Sequence, residues 1–210
     1  MDVAVLLFDG FDELDAVAPY EVFQTAAELG ADLDVSTRTL VPAEGVTAGH
    51  GLTVVPDDVL FGTPDLVVVP GGGWNSVAPE GQRDGAGGAG EAREAPGVWT
   101  EFEDGTLPER LATLHEGGAT VASVCTGAML LAEAGLLDGR PATTHETAKA
   151  DLREYDDVDL RDDRYVDDGT VLTAGGVTAG VDLALHLVER ECSAGLAEEV
   201  ADEIEYEARY

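Results

Sequence analysis

The sequence predicts an α/β protein with a doubly wound, mostly parallel sheet and helices on both of its faces. Short apolar runs of the kind that form buried parallel strands alternate with longer segments of helical periodicity. Three such runs, over residues 2–8, 65–69 and 120–124, are followed directly by turns that contain glycine or cysteine. Neither an internal repeat nor a linker divides the chain, so we expect a single domain over residues 1–210.

The segment after the first strand predicts a helix over residues 12–29 that buries one apolar face. Pro19 is tolerated only in the first turn of a helix, which places the predicted start near Val17. Asp15 is then expected on the turn that enters the helix. The elements predicted next are a strand over residues 33–41 and a hairpin over residues 46–56.

Residues 81–97 are rich in Gly, Ala, Glu and Arg without periodicity, which predicts a flexible surface loop. Residues 85–90 match G-x-G-x-x-G, but no strand precedes the match and no amphipathic helix follows it. We therefore reject a dinucleotide site. The elements predicted after the loop are helices over residues 107–116, 126–134, 146–155, 178–191 and 194–208 and a hairpin over residues 165–173.

The charge of the chain is strongly unbalanced, with 43 acidic and 11 basic residues and a formal net charge of −32. The acidic residues are spread along the whole sequence, which argues against a disordered acidic tail. Self-repulsion of this size destabilises a compact state unless salt screens it, and at ~1 M salt the screening length is roughly 3 Å. We predict a surface adapted to a salt-rich cytoplasm and no nucleic-acid partner, since little here neutralises phosphates.

The start of the chain lacks the features of a signal peptide, because Met1 and Asp2 form no basic region and residues 3–8 are too few for an apolar core. No apolar run approaches the length of a membrane span, which predicts no membrane partner. Cys125 and Cys192 do not resemble a disulfide framework, so we expect a reduced, cytoplasmic protein. The absence of C-x-x-C and H-x-x-x-H patterns predicts no metal site.

Cys125 stands between a predicted buried strand and a predicted helix, which is the layout of a nucleophile elbow. Ligands bind at the carboxyl ends of strands in open α/β sheets. A helix N-terminus favours the thiolate, and the N–H of Thr126 is expected to point where negative charge develops. We predict a reactive, exposed thiol with a lowered pKa at Cys125. The alternative is a small buried hydrophobe, which is our interpretation of Cys192.

Glycines at the end of the neighbouring strand supply possible partners for this thiol. Gly71, Gly72 and Gly73 leave the backbone free to approach a ligand and to present its N–H groups. Together with the N–H of Thr126 they predict an oxyanion hole. The alternative is a tight turn without a chemical role.

Two carboxylates follow the first strand at the same edge of the sheet. Asp15 lies between apolar residues, where burial would raise its pKa and suit it to carry protons at neutral pH. Glu21 is a possible supporting residue. For both residues, a solvated carboxylate is the alternative in a chain this acidic. His145 could approach as a base, although a structural histidine at a strand end is the commoner case.

Several segments in this order resemble the ThiJ/PfpI superfamily of the class I glutamine amidotransferase-like fold, within its isocyanide hydratase-like branch. The matching segments are Phe8-Asp9-Gly10-Phe11 with Leu14-Asp15, Pro19-Tyr20-Glu21-Val22-Phe23, Val68-Val69-Pro70-Gly71-Gly72, Val121-Ala122-Ser123-Val124-Cys125-Thr126-Gly127-Ala128, Gly135-Leu136-Leu137-Asp138-Gly139 with Ala142-Thr143-Thr144-His145, Gly175-Gly176-Val177-Thr178-Ala179-Gly180-Val181-Asp182, and Ile204-Glu205-Tyr206.

The resemblance implies a flavodoxin-like sandwich, a homodimer and a cysteine on a strained elbow. In the hydratase branch the cysteine, here Cys125, attacks the carbon of an isocyanide, a small-molecule substrate. An aspartate that matches Asp15 assists with the proton and with water, the product is an N-substituted formamide, and no cofactor is needed. The N–H donors of the superfamily map onto Gly72, Gly73 and Thr126.

The chain also departs from the superfamily pattern. Proteolytic members carry a histidine directly after the cysteine, where this chain has Thr126, so we do not expect a peptidase. Glu146 stands where the branch often has an aromatic residue. Two alternatives stay open. One is a glyoxalase or deglycase acting on α-oxoaldehydes, which usually has glutamate in place of Asp15. The other is a non-enzymatic thiol that senses oxidants.

Overall fold

A computed structural model describes residues 1–76, 96–155 and 157–208. The strands are β1 (Asp2–Leu6), β2 (Asp34–Thr39), β3 (Val46–Thr47), β4 (Thr53–Val54), β5 (Asp58–Val59), β6 (Leu66–Val69), β7 (Thr120–Val124), β8 (Pro141–Ala142), β9 (Asp159–Leu160), β10 (Tyr165–Asp167) and β11 (Val171–Ala174). The helices are α1 (Glu13–Glu28), α2 (Val98–Asp104), α3 (Thr106–Glu116), α4 (Ala128–Glu133), α5 (Lys149–Leu152), α6 (Ala179–Glu191) and α7 (Ala194–Glu203).

A seven-stranded sheet in the order β10-β11-β7-β6-β1-β2-β5 forms the centre of the molecule. Its neighbouring strands are parallel except at the edge, where β10 runs antiparallel to β11. Helices α1, α6 and α7 pack on one another, and α2, α3 and α4 form a second group. The predicted α/β class and doubly wound, mostly parallel sheet are confirmed.

The strands at the centre of this sheet are buried along almost their whole length. Every residue of β6 and β11 is buried, and β1 and β7 each have only their first residue partly exposed. Such continuous apolar runs are expected where helices cover both faces of a parallel sheet. Helix α6 comes so close to β7 that a Cβ added at Gly180 would lie 3.0 Å from Val124 Cγ1.

Helix α1 begins earlier than the sequence predicts. Its first residue is Glu13, and Asp12 caps it by accepting the N–H of Leu14 on Oδ1 at 3.1 Å. The predicted start near Val17 is therefore wrong, because the cap and the buried face of α1 outweigh the cost of Pro19 inside the helix. Asp15 consequently lies in the first turn of α1 and not on a turn before it.

Other elements also differ from their predicted bounds. The helix predicted over residues 126–134 is a 3-10 turn, Cys125–Gly127, followed by the six-residue α4. The helix predicted over residues 146–155 is likewise divided into a 3-10 turn, Glu146–Ala148, and the short α5. Helix α2 was not predicted, because it follows the low-complexity segment and has no long apolar period of its own.

Most of the predicted loop over residues 81–97 lies outside the described residues, which stop at Ser76 and resume at Pro96. Where the chain resumes, the N–H of Val98 donates to the carbonyl of Gly72 at 2.8 Å. The single domain over residues 1–210 and the flexible loop therefore stay predictions. In the ranges that the structure describes, each helix is too short or too polar to cross a membrane.

Candidate active site

The carboxyl ends of three adjacent strands bring the predicted reactive residues together. Cys125 follows β7, the glycines 71–73 follow β6, and Asp15 lies in α1 just beyond β1. Because β1, β6 and β7 are neighbours in the sheet, their carboxyl ends meet at one edge. A Cβ added at Gly71 would lie 2.6 Å from the backbone nitrogen of Thr126 and 2.9 Å from Asp15 Oδ2. The elbow and the aspartate thus converge on Gly71.

Cys125 has the backbone conformation of a strained elbow. Its φ is +58°, a region that residues with a side chain rarely adopt. Hydrogen bonds on both sides hold this conformation: the N–H of Cys125 donates to the Gly175 carbonyl at 2.9 Å, and its carbonyl accepts from Thr144 Oγ1 at 2.9 Å. Sequence reasoning gave no role to Thr144 or Gly175, although both stand in short motifs that follow strands.

Asp15 is a buried carboxyl group that pairs with no cation in the part of the chain that the structure describes. Its exposed fraction is 0%, and Oδ2 accepts the N–H of Gly71 at 3.1 Å. Oδ1 has no well-aligned hydrogen-bond partner among the described residues. Burial raises the pKa of Asp15 from 3.8 to about 7, and the negative charge of Asp12 adds to this, while hydrogen bonding to Cys125 and Gly71 opposes it. Asp15 therefore exchanges its proton near neutral pH.

The thiol of Cys125 differs from the prediction in both exposure and acidity. It is only 7% exposed, and burial, followed by the negative charge of Asp15, raises its pKa. The backbone N–H of Thr126 lowers the pKa but does not reverse the shift. The predicted exposed thiol of lowered pKa is therefore wrong, because the sulfur is buried and a carboxyl group lies beside it. At neutral pH the pair holds no more than one negative charge.

The predicted oxyanion donors are near the elbow but are not equally available. The N–H of Gly72 already donates to Thr126 Oγ1 at 3.0 Å. The N–H of Gly73 has no acceptor among the residues that the structure describes. A φ of +113° at Gly72 and a Cβ position only 2.4 Å from the backbone nitrogen of Asp12 leave room for glycine alone. The oxyanion hole stays a prediction.

Neither Glu21 nor His145 forms a hydrogen bond with the thiol of Cys125 in the part of the chain that the structure describes. Glu21 is exposed on α1 and makes no hydrogen bond or ion pair with a described residue. His145 caps the 3-10 turn Glu146–Ala148, where its Nδ1 accepts the N–H of Thr147 at 3.3 Å. Its ring lies against Gly176, whose added Cβ would be 3.1 Å from the ring. This placement favours the structural alternative for His145.

One group of side chains in the described ranges has the composition of a metal site. Ligand atoms of Asp12, Glu13 and His50 all lie within 4.8 Å of one another. The group is already satisfied internally, since Glu13 accepts the backbone N–H of His50 at 2.8 Å and contacts its Nδ1 at 2.6 Å. Asp12 Oδ1 caps Leu14. We assign no metal to these residues, and none to the reacting pair.

A cavity of about 300 Å³ opens beside the elbow. Thr144, His145 and Gly175 are among the residues that line it. Thr144 and Gly175 also hold the backbone of Cys125, so this cavity and the elbow share a wall. A second cavity, of about 350 Å³, is lined by residues that include Phe8 and Glu101.

The chain is similar in sequence to several known proteins. The chain is 30% identical over 208 residues to an isonitrile hydratase of Pseudomonas putida, covering 98% of this chain and 78% of that protein. It is 29% identical to the HTH-type transcriptional regulator CdhR of Pseudomonas aeruginosa over 96% of this chain, but it spans only 54% of that regulator.

The fold also matches solved structures. Drosophila melanogaster DJ-1beta superimposes with a TM-score of 0.78 at 22% identity, and the match covers 98% of both chains. The DJ-1/PfpI family matches residues 1–83 and 103–190, which include β1, β6, β7 and the elbow. From this match and the likeness to the isonitrile hydratase, we conclude that the chain belongs to the DJ-1/PfpI family.

Proposed function

We propose that the protein is a cofactor-independent hydratase in which Cys125 adds to an isocyanide and water converts the adduct into an N-substituted formamide. The observation that carries this proposal is the buried pair of Cys125 and Asp15, in which a carboxyl group with a pKa of about 7 lies beside a thiol on a strained elbow. The likeness to an isonitrile hydratase supports the choice of substrate.

The reaction begins with addition of the thiol across the isocyanide carbon. The sulfur of Cys125 forms a C–S bond to that carbon. Asp15 gives its carboxyl proton to the carbon to form the new C–H bond, and the proton released from the thiol passes to Asp15. The product of this step is a thioimidate, in which the carbon is doubly bonded to nitrogen. Cys125 and Asp15 are suited to it because burial favours the protonated form of both groups before attack, so Asp15 can give one proton and take up the other.

Water then completes the hydration. As the oxygen of water attacks the thioimidate carbon, Asp15 gives its proton to the nitrogen and takes one proton from the water. The C–S bond then breaks as the remaining hydroxyl proton passes to sulfur, which releases the formamide and restores the thiol. The N–H of Thr126, which contacts the Cys125 sulfur, and that of Gly73, which has no acceptor among the described residues, are the donors we propose for the negative charge that accumulates. The sum is isocyanide plus water giving formamide.

The alternatives receive less support from the geometry. A peptidase needs a histidine at the thiol, but Thr126 follows Cys125 and His145 caps a separate turn. An oxidant sensor needs an accessible thiolate, whereas Cys125 is 7% exposed and its pKa is raised. Glyoxalase activity stays an alternative, because an α-oxoaldehyde would react at the same pair of Cys125 and Asp15.

Separate assays with an isocyanide and with methylglyoxal, in molar KCl, test the proposal. We expect wild-type protein and the Cys192→Ser control to form the formamide and Cys125→Ala to form none. Turnover of methylglyoxal alone would replace the hydratase with the glyoxalase. Stoichiometric oxidation of Cys125 by mild peroxide without turnover of either substrate would favour the sensor. Formamide production that survives Cys125→Ala would contradict the nucleophile assignment.

We also propose a homodimer in a salt-rich cytoplasm. Leu14 and Val17 are exposed on one side of α1, and Leu52 is exposed on the turn between β3 and β4. The backbone of Leu52 approaches Glu13 at 3.5 Å, so these apolar side chains lie in one region. Light scattering after size exclusion in molar KCl tests the dimer, and Leu14→Glu is expected to convert it to a monomer.

A further inference from the structure

Asp12 lies outside the reacting pair but is joined to it by a closed ring of hydrogen bonds. The N–H of Asp12 donates to the Gly71 carbonyl at 2.8 Å, and the N–H of Gly71 donates to Asp15 Oδ2 at 3.1 Å. The N–H of Asp15 returns to the Asp12 carbonyl at 3.2 Å. These three hydrogen bonds therefore hold the start of α1 against the glycine turn after β6, and they fix the direction of the Asp15 carboxyl group.

The side chain of Asp12 contributes a charge as well as a cap. Its Oδ1 accepts the N–H of Leu14 at 3.1 Å, which fixes the carboxylate at the entrance to α1. After burial, the negative charge of Asp12 is the next cause that raises the pKa of Asp15, and the same charge raises the pKa of Cys125. It acts against the N-terminus of α1, whose dipole favours an ionised carboxylate in the first turn.

Building on the function proposed for the pair, we propose that Asp12 is a positioning residue. Its backbone orients the Asp15 carboxyl group through Gly71, and its negative charge keeps a proton on that group at neutral pH. Asp15 can deliver a proton to an isocyanide carbon only in its neutral form. Asp12 therefore acts through Asp15 and needs no contact with the substrate.

The charged and polar groups around Asp12 and Asp15 come from the elbow, the end of β6, helix α1 and the β3–β4 hairpin. Cys125 faces Asp15 from the elbow, and the N–H of Gly71 faces it from the end of β6. On the solvent side, Glu13 of α1 and His50 of the β3–β4 hairpin adjoin Asp12. Glu13 and then Asp12 raise the pKa of His50, whose side chain is 81% exposed. Protonated His50 partly offsets the charge of Asp12, so the effect of Asp12 on Asp15 is largest where His50 is neutral.

The rate of Cys125 alkylation by iodoacetamide as a function of pH tests the proposal without requiring turnover. The background is Cys192→Ser, because Cys192 is the exposed second cysteine. Asp12→Asn keeps a good helix cap and removes the charge. We expect its alkylation profile to move to lower pH by about half a unit, because one negative charge no longer opposes ionisation of the pair. Its melting temperature should equal that of the background protein.

Two matched variants separate charge from structure. Glu28→Gln removes one charge from the last turn of the same helix, roughly 20 Å from Asp15, and should leave the profile in place. Asp12→Ala loses the helix cap as well as the charge, so its melting temperature should be lower. Its alkylation profile should shift to lower pH as that of Asp12→Asn does. Because Asp12 is only partly exposed, molar KCl should narrow the difference between the wild-type and Asp12→Asn profiles without abolishing it.

Superimposable alkylation profiles of Asp12→Asn and the background protein would overturn the proposal, whether or not the protein hydrates isocyanides. A shift in Asp12→Ala alone would reduce Asp12 to a helix cap. An equal shift in Glu28→Gln would attribute the effect to net charge. Conversely, a shifted alkylation profile without isocyanide turnover would retain the role of Asp12 and reject only the hydratase. Where turnover is present, the pH profile of kcat/KM should move in the same direction.

Discussion

Asp15 and Asp182 occupy matching positions in two helices that pack together, but their surroundings are opposite. Each lies in the first turn of its helix, α1 or α6, and each is almost completely buried, with exposed fractions of 0% and 2%. Asp182 forms an ion pair with Arg164 and accepts a hydrogen bond from the Tyr206 hydroxyl at 3.1 Å. Within the described ranges, Asp15 has a backbone N–H, a thiol and a second carboxylate as neighbours, and no cation.

The difference separates a structural carboxylate from a proton carrier. A buried carboxylate that pairs with a guanidinium and accepts from a hydroxyl joins the elements that supply these groups. Asp182 thereby links α6 to Arg164, before β10, and to Tyr206, after α7. A buried carboxyl group without a cation instead holds its proton up to neutral pH, which destabilises the fold but suits chemistry. The contrast predicts opposite effects for the same substitution at the two positions.

The largest contrast is expected in activity. Asp15→Asn keeps the shape of the side chain but can no longer carry the proton, so we expect kcat/KM for an isocyanide to fall by about 10²–10⁴-fold. Asp182→Asn, measured on folded protein, should retain wild-type activity because Asp182 does not touch the reacting pair. Circular dichroism verifies that both variants are folded. An Asp15→Asn protein with more than a tenth of wild-type activity would remove Asp15 from the mechanism.

The second contrast concerns the dependence of stability on pH. Unfolded Asp15 loses its proton near pH 3.8, whereas folded Asp15 keeps it up to about pH 7. The folded state binds more protons between these values, so the contribution of Asp15 to stability falls as the pH rises. Asp15→Asn lacks this titration. Relative to wild type, its free energy of unfolding should therefore rise by about 3 kcal/mol between pH 5 and pH 8.

Urea unfolding at both pH values, in molar KCl, measures this difference. Glu28→Gln serves as a control, because Glu28 is exposed at the other end of α1 and should show no such change. A constant difference between Asp15→Asn and wild type across this range would mean that Asp15 is ionised throughout in the folded protein.

The opposite sign is expected for Asp182→Asn. The substitution leaves Arg164 without its carboxylate, and removing one partner of a buried ion pair is strongly destabilising. Because the Arg164 side chain is 29% exposed and regains some solvation, we expect a loss of about 2–3 kcal/mol in the free energy of unfolding. Denaturant unfolding at pH 8 measures it. If Asp182→Asn is as stable as wild type at pH 8, the ion pair of Asp182 does not stabilise the fold and the contrast with Asp15 fails.

The sequence was sufficient to predict the parallel sheet and the proximity of the elbow to the glycine turn. Continuous apolar runs such as residues 66–69 are local signals of buried parallel strands, whose carboxyl ends meet at one edge of the sheet, and the sheet order β7-β6-β1 makes three of these ends neighbours. The proximity of Cys125, Gly72 and Asp15 follows from that order. The start of α1 was missed because the cap at Asp12 and the packing of α1 outweigh the local effect of Pro19.

The acidity and partners of the site could not be predicted in the same way. The thiol pKa depends on the burial of Cys125 and on the nearness of Asp15, both of which arise from packing. The hydrogen bond from Gly72 to Thr126 joins residues that are distant in sequence. The same holds for Asp182 and Arg164, since the resemblance marks the segment around Asp182 without indicating its cation. Tertiary contacts of this kind distinguish two buried aspartates that share one local signal.

The smallest expected effect comes from the hydroxyl that completes the surroundings of Asp182. Tyr206 donates to Asp182 Oδ2 at 3.1 Å and accepts from Arg164 Nη2 at 3.3 Å. Tyr206→Phe removes both hydrogen bonds but leaves the ion pair, so we expect a loss of about 1 kcal/mol in the free energy of unfolding and unchanged isocyanide turnover. In the Asp182→Asn background the loss should be smaller, because the charged acceptor is gone. Equal losses in both backgrounds would show that Tyr206 acts through packing, leaving the guanidinium alone to separate Asp182 from Asp15.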